Sequence, residues 1–200
     1  TQVNAQLCEN NEAGMFVTAW MGILDLETGL IRYANAGHNP PVVRHKDGSY
    51  EYLKGRANFV LAGMDGVRYK EQQIQLNQGD EIYLYTDGVT ETHNSNMELF
   101  GEDRLLNSLD QTKDLTVEEI CRKVKADVDV FQGDTEQFDD ITMLCVRLSE
   151  VENKMLSVKP TMETVSQVAA FVEEHLEQFD VPMKLSAKLM IAVDEIYSNI

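Results

Sequence analysis

Three aspartates stand at the ends of two strand-like runs, where a fold could bring them to one cation site. Asp87 follows the run Ile82-Tyr83-Leu84-Tyr85-Thr86 and precedes Gly88. Asp139 and Asp140 form a pair at the head of the run Ile141-Thr142-Met143-Leu144-Cys145-Val146. Magnesium and manganese take oxygen ligands at about 2.0–2.2 Å and keep several waters, so a few carboxylates suffice. Two such ions about 3.5–4 Å apart can polarise a phosphoryl oxygen and make hydroxide from water at neutral pH. We read the two acidic segments as halves of one cation site. A plainer use stays open, because aspartate also favours turns and strand ends.

Other residues invite chemistry less directly. Glu195 and Asn199 stand at i and i+4, on one face of a helix. A carboxylate and an amide so placed could orient water and hold Mg²⁺ beside a nucleotide, or could be a solvent-facing polar pair. His38 could serve as a general acid; the reading adopted is a loop histidine that holds the turn Asn35-Ala36-Gly37-His38-Asn39-Pro40-Pro41. His45, His93 and His175 show no ligand spacing. Gly63-Met64-Asp65-Gly66 could cradle a phosphate, but one glycine-rich loop is more simply a turn.

The elements that must position these residues follow from periodicity. Phe16 to Leu26 reads as a strand buried on both faces, because it is almost continuously apolar. Glu27-Thr28-Gly29 turns it back into Leu30 to Ala34. Val42 to Arg44 and Tyr50 to Leu53 flank Lys46-Asp47-Gly48-Ser49 as a second hairpin. Tyr69 to Leu76 alternates, and Ile82 to Tyr85 is the strand that delivers Asp87. Phe100-Gly101 opens a short helix with Leu105, Leu106 and Leu109. Thr116 and Glu119 form a capping-box signal for a helix to about Phe131, with Ile120, Val124 and Val128 on one stripe. Phe138 to Leu148 is expected as the closing strand, with the acidic pair at its start.

Composition shifts at Ser149, and the boundary is placed at 149–154. Beyond it come a short strand, Met155 to Val158, and a helix capped by Thr161 with Val165, Val168, Ala169, Val172 and Leu176 inward. A second helix from about Met183 carries Leu185, Leu189, Ala192, Val193 and Ile196 on its apolar stripe. The chain opens at Thr1 without an initiator methionine and stops within that helix, which reads as a piece of a longer protein.

Charge and cysteine content exclude some roles. With 17 basic against 34 acidic residues the net charge is −17, which argues against nucleic acid or an anionic membrane as partner. Cys8, Cys121 and Cys145 are odd in number and lack CxxC spacing, so they read as thiols of a reducing, cytoplasmic compartment. No apolar run is long enough to span a bilayer.

Several motifs occur in one order: MFVT at 15–18, YANAGHNPP at 33–41, GDEIYLYTDGVTE at 79–91, FG at 100–101 and FDDITMLCVRL at 138–148. In this they resemble the metal-dependent type 2C serine/threonine phosphatases of the bacterial SpoIIE-like branch. The resemblance covers about residues 1–148. It implies an α+β fold, an α/β/β/α sandwich of antiparallel sheets with its N-terminal part missing, and two Mn²⁺ or Mg²⁺ ions between the sheets. It further implies hydrolysis of phosphoserine or phosphothreonine by a metal-activated water. Carried over by position, Asp87 and Asp139 are the metal ligands and catalytic residues, with Asp140 a further ligand and Gly88 a backbone spacer. The family's earlier Gly-Asp element is not found and would lie before Thr1, so the metal site is expected to be incomplete here.

Residues 155–200 are similar to the start of a histidine-kinase-like ATPase domain of the anti-sigma-factor kinase type, read as a strand-helix-helix fragment. On that resemblance Asn199 binds Mg²⁺ with ATP and Glu195 is the base, although the ATP-lid motifs would lie beyond Ile200. The combined expectation is a phosphatase fused to a kinase module. Its substrate would be a phosphorylated anti-sigma-factor antagonist, with a sigma factor and a homodimer left open as further associations. The alternatives are a catalytically incomplete scaffold that docks a signalling partner, and a kinase regulated by the phosphatase-like part.

Overall fold

Alternating apolar residues build two antiparallel sheets. The computed structural model describes residues 1–9, 11–149, 156–157, 164–178, 181 and 183–198. The chain divides into two compact units, Thr1–Glu150 and Val151–Ile200. In the first, β1 (Ala19–Leu24), β2 (Leu30–Ala36) and β5 (Gln72–Gln75) form a sheet in the order β1-β2-β5. A second sheet joins β3 (Val42–Arg44), β4 (Tyr50–Tyr52), β6 (Glu81–Tyr85) and β7 (Met143–Arg147) in the order β4-β3-β6-β7.

The sheets pack face to face through Ile31, Tyr33, Val43, Leu76 and Ile82, with Trp20, Leu24, Leu84 and Val146 at the margin. The other face of the four-stranded sheet carries Val42, Tyr83 and Tyr85. Against these pack α2 (Asp87–Thr90), α3 (Gly101–Asp110) and α4 (Val117–Gln132). Ile120, Val124 and Val128 of α4 fall at i, i+4 and i+8 and are fully buried. Each such side chain contributes roughly 1.5–3 kcal/mol on leaving water. The helix begins where its capping box predicts: the Thr116 hydroxyl accepts from Glu119 N–H, and the Glu119 carboxylate accepts from Thr116 N–H at 2.8 Å.

Several expectations need correction. Phe16 to Leu26 is not a strand buried on both faces. The strand is only Ala19–Leu24, it lies at a sheet edge, and Met21 and Ile23 are 69% and 55% exposed. Only the face bearing Trp20 and Leu24 meets the other sheet. Among the described residues the layers of the first unit are α/β/β, the α+β fold of antiparallel sheets that was expected. The helix α1 (Gln2–Cys8) meets the loop 61–69, where buried Asn4 donates to the Met64 carbonyl and accepts from Ala62 N–H and the Tyr69 hydroxyl. The closing strand starts at Met143, not Phe138, so Asp139 and Asp140 stand in the loop before it.

In the second unit α5 (Val165–Gln178) and α6 (Met183–Ser198) pack on each other. The expected stripe of α5 is half-buried. Of the stripe expected on α6, Leu185 and Leu189 are exposed and Val193 is half-buried, with Ser186 and Met190 half-buried beside it; the side chains of Ala192 and Ile196 lie outside the described residues. Leu156 and Ser157 belong to no strand and are exposed, and the other two residues of the expected strand 155–158, with Thr161, lie outside the described residues.

One polar cluster ties the second sheet to its helices. Glu81 is 1% exposed, yet carries a carboxylate on the helix-facing side of β6. Arg44 of β3 donates to it at 2.7 Å and Arg147 of β7 at 2.6 Å. Both guanidinium groups reach on to the α3–α4 connection, Arg44 to the Lys113 carbonyl and Arg147 to the Leu115 carbonyl. Removing one member of such a group strands the others as buried charge. Glu81→Leu is therefore predicted to lower unfolding free energy by about 3 kcal/mol. Urea denaturation measures this as a fall in midpoint at unchanged slope. A midpoint matching the wild type would mean the cluster is not holding the layers together.

Candidate metal centre

The register of β6 and β7 decides where the acidic residues end up. Glu81 lies opposite Arg147 and Tyr85 opposite Met143. Continuing past that last pair brings Thr86 to Thr142, with Thr86 N–H donating to the Thr142 carbonyl at 3.0 Å. The Thr86 hydroxyl then closes the junction. It accepts from Thr142 N–H at 2.9 Å and donates to the Asp140 carbonyl at 2.9 Å. Asp87 opens α2 immediately afterwards.

Gly88 completes the contact by having no side chain. A Cβ there would lie 2.5 Å from the Asp140 carbonyl oxygen and 3.3 Å from that of Asp139. Only glycine lets the two backbones abut this closely. Asp87 and the Asp139–Asp140 pair, 52 residues apart in sequence at their nearest, thus belong to touching segments at one end of the four-stranded sheet.

All three carboxylates are exposed, and among the described residues none has a lysine or arginine partner. Asp87 Oδ1 accepts from Gly88 N–H at 3.1 Å, and Asp139 Oδ1 accepts from Asp140 N–H at 2.7 Å. Gln137 steadies the loop by donating to the Asp139 carbonyl at 2.8 Å. Uncompensated hard oxygen donors on abutting backbones suit Mg²⁺ or Mn²⁺, which need few protein ligands and retain water. Among the described residues no three His, Cys, Asp or Glu side chains gather into a complete cage.

The other sequence candidates lie elsewhere. It is Asn35, not His38, that holds the loop: its amide accepts from His38 N–H at 2.8 Å and donates to the His38 carbonyl at 2.9 Å. The His38 ring instead meets the Thr18 hydroxyl at 3.2 Å. The Gly63–Gly66 segment is a turn whose Met64 carbonyl is taken by Asn4. The three cysteines are free, and burial, followed by the nearby Glu81 charge, pushes the Cys145 thiol up to about 12. It stays protonated and is no nucleophile. Glu195 lies in α6, but its side chain and all of Asn199 fall outside the described residues.

Sequence reasoning missed Thr86 and the Glu81 cluster. A signal existed for the second: period-two alternation places Glu81 on the same face as Tyr83 and Tyr85, so a carboxylate was due on a core face. Thr86 gave no such sign, because its partners are main-chain atoms of a distant loop.

Known proteins share this architecture. Residues 1–149 match the family described as Stage II sporulation protein E (SpoIIE). Protein IcfG of Synechocystis is 31% identical over 139 residues, covering 69% of this chain and 22% of that protein. Phosphoserine phosphatase RsbU of Bacillus subtilis is 27% identical over 146 residues, covering 72% of this chain and 43% of that protein. The chain thus spans less than half the length of either relative. The crystal structure of the RsbU and RsbW domains of Rv1364c from Mycobacterium tuberculosis superposes with a TM-score of 0.69 at 22% identity, over 98% of this chain and 54% of that one. That likeness speaks to fold.

If the Thr86 hydroxyl clasps the two segments, Thr86→Val must loosen them without unfolding the sheet. Losing a hydrogen bond of about 1 kcal/mol should speed exchange of the Thr142 amide roughly fivefold, while Thr86→Ser keeps the wild-type rate. Amide exchange by NMR decides this, and equal rates in all three proteins would remove the clasp.

Proposed function

Because the chain belongs to the stage II sporulation protein E family, whose model matches residues 1–149, we propose that its first unit is the catalytic part of a metal-dependent serine/threonine protein phosphatase. The observation that carries this reading is the abutment, through Gly88 and Thr86, of the backbone segment that bears Asp87 and the one that bears Asp139 and Asp140. Asp87 and Asp139 hold the divalent cations, and Asp140 supports them from the next position. When bound, Mn²⁺ or Mg²⁺ neutralises phosphoryl charge and activates water. The chain's own residues fix geometry: Gly88 and Thr86 hold both carboxylate segments together, and the β6–β7 ladder keeps that spacing constant through turnover.

The substrate we assign is phosphoserine or phosphothreonine on an anti-sigma-factor antagonist protein. The similarity to a protein named phosphoserine phosphatase RsbU supports phosphoserine as the group hydrolysed. We read the second unit as the start of an anti-sigma-type kinase module, with Glu195 as base and Asn199 as the Mg²⁺-ATP ligand. The superposition on a solved pair of domains named RsbU and RsbW, over nearly the whole chain, supports that order of modules. A cytoplasmic setting fits three free cysteines, and no described helix is long and apolar enough to cross a membrane. A scaffold that docks a partner without catalysis is the second reading.

Steady-state kinetics with Mn²⁺ on the full-length protein separates the readings. Asp87→Asn and Asp139→Asn should each lower kcat/KM for p-nitrophenyl phosphate by about 10²–10³-fold. Asp140→Asn should cost only about tenfold. A full-length protein that leaves both the aryl phosphate and a phosphoserine protein intact would establish the scaffold instead.

A further inference from the structure

Away from the aspartates, a groove of about 550 Å³ opens beside β4. Pro40, Tyr52, Leu53, Lys54, Arg56 and Gln72 line it, and no acidic residue does. It shares no lining residue with the segments that carry Asp87, Asp139 and Asp140.

The backbone beneath this groove is pinned. The Gln72 side-chain amide grips Arg56 from both sides, accepting from its N–H at 3.1 Å and donating to its carbonyl at 2.8 Å. Leu53 N–H donates to the Pro41 carbonyl, and Asn58 N–H to that of Asn35. Gly55 sits so close that a Cβ would lie 2.7 Å from the Tyr33 hydroxyl and 2.8 Å from Gln72 Oε1. The loop is thus built to present its side chains from a fixed frame, which lowers the entropy lost when something binds them.

The two side chains it presents are cations without partners. Lys54 and Arg56 are exposed, and among the described residues neither enters an ion pair. Several other cations are committed: Arg32 to Glu71, Arg44 and Arg147 to Glu81, Arg122 to Glu118, Lys123 to Asp127 and Lys125 to Asp129. Residues 54–70 carry Lys54, Arg56, Arg68 and Lys70 against the single Asp65, within a chain of net charge −17. Asn58 holds Lys70 next to this loop by accepting from Lys70 N–H at 2.8 Å. What sets Lys54 and Arg56 apart is that their backbone is pinned and no acidic residue lines their groove, a combination that suits an anion. Charges are screened beyond about 8 Å at physiological salt, so a ligand in contact feels these two cations and not the net charge.

The geometry points to a docking groove for an acidic segment of the phosphoprotein substrate, with Lys54 and Arg56 as its anion contacts. Pro40, Tyr52 and Leu53 supply the apolar contact that a peptide backbone and its side chains need. A guanidinium can take a carboxylate or phosphate in two parallel hydrogen bonds, and the ammonium adds a point charge. This assignment deepens the phosphatase reading and rests on it, because it names how the protein substrate is recognised. It separates recognition of the protein from hydrolysis of the phosphate.

The test is the double variant Lys54→Glu/Arg56→Glu of the full-length protein. With Mn²⁺, KM for a phosphoserine protein flanked by acidic residues should rise about tenfold, mostly through slower association. Its kcat, and kcat/KM for p-nitrophenyl phosphate, should stay at the wild-type values. The difference should shrink at about 0.5 M NaCl. The conservative Lys54→Arg/Arg56→Lys variant should keep most of the affinity and show that the fold is intact. In parallel, fluorescence anisotropy with a peptide of phosphoserine among glutamates should show binding to the wild type and not to the charge-reversed variant. An unchanged KM for the protein substrate overturns the groove. So does equal binding of the peptide to both forms, or an oligothymidylate binding the wild type as tightly as the peptide. A wild type that hydrolyses neither substrate defeats the catalytic reading instead, and the anisotropy alone then decides the groove.

Discussion

Glu81 faces Arg147 at one end of the β6–β7 ladder, and Thr86 meets Thr142 and Asp140 at the other. That ladder is the constraint from which the remaining geometry follows. Side chains alternate along a strand, so a slip of one residue would turn Glu81 out of its cluster of arginines and send Tyr83 and Tyr85 to the wrong face. A buried carboxylate with two guanidinium partners tolerates no such slip, because an unpaired charge there costs several kcal/mol. What the register secures at the far end is the meeting of the start of α2 with the loop before β7.

Charge is distributed with the same division of labour. Glu81 is acidic, buried and compensated; Asp87, Asp139 and Asp140 are acidic, exposed and without a basic partner. The first kind builds the scaffold and the second leaves negative potential concentrated at one rim. Lys54 and Arg56 reverse the sign on a loop that Gln72, Asn58 and Gly55 keep in place. Local pairing, not the total of −17, decides what each face can attract.

Much of this was legible in the residues alone, for identifiable reasons. The Thr116–Glu119 cap and the stripe Ile120, Val124, Val128 are local signals, and α4 follows them closely. The hairpins at Glu27-Thr28-Gly29 and Lys46–Ser49 depend on turn chemistry within a few residues, and both formed. The segments bearing Asp87 and Asp139 were expected to meet, and they do. Failures arose where the answer lay far away in sequence. The run from Phe16 to Leu26 is apolar enough for burial on both faces, but only β2 and the opposite sheet determine that one face is covered. The strand expected from Phe138 begins at Met143, because the preceding residues are engaged with Thr86 and Gly88 instead of a ladder. His38 was given a turn that Asn35 holds, since an amide can both donate and accept across three residues.

The central claim is that Asp87 and the Asp139–Asp140 loop act on one ion cluster. Paramagnetic broadening of backbone amide signals by Mn²⁺ tests it most directly, because the effect falls steeply with distance from the ion. On titrating substoichiometric Mn²⁺ into the isotope-labelled protein, the amides of Asp87, Gly88, Asp139 and Asp140 should fade together, at one common ion concentration, and Asp87→Asn should protect all four. Broadening of one segment alone, or of the two at clearly separate concentrations, would contradict the account.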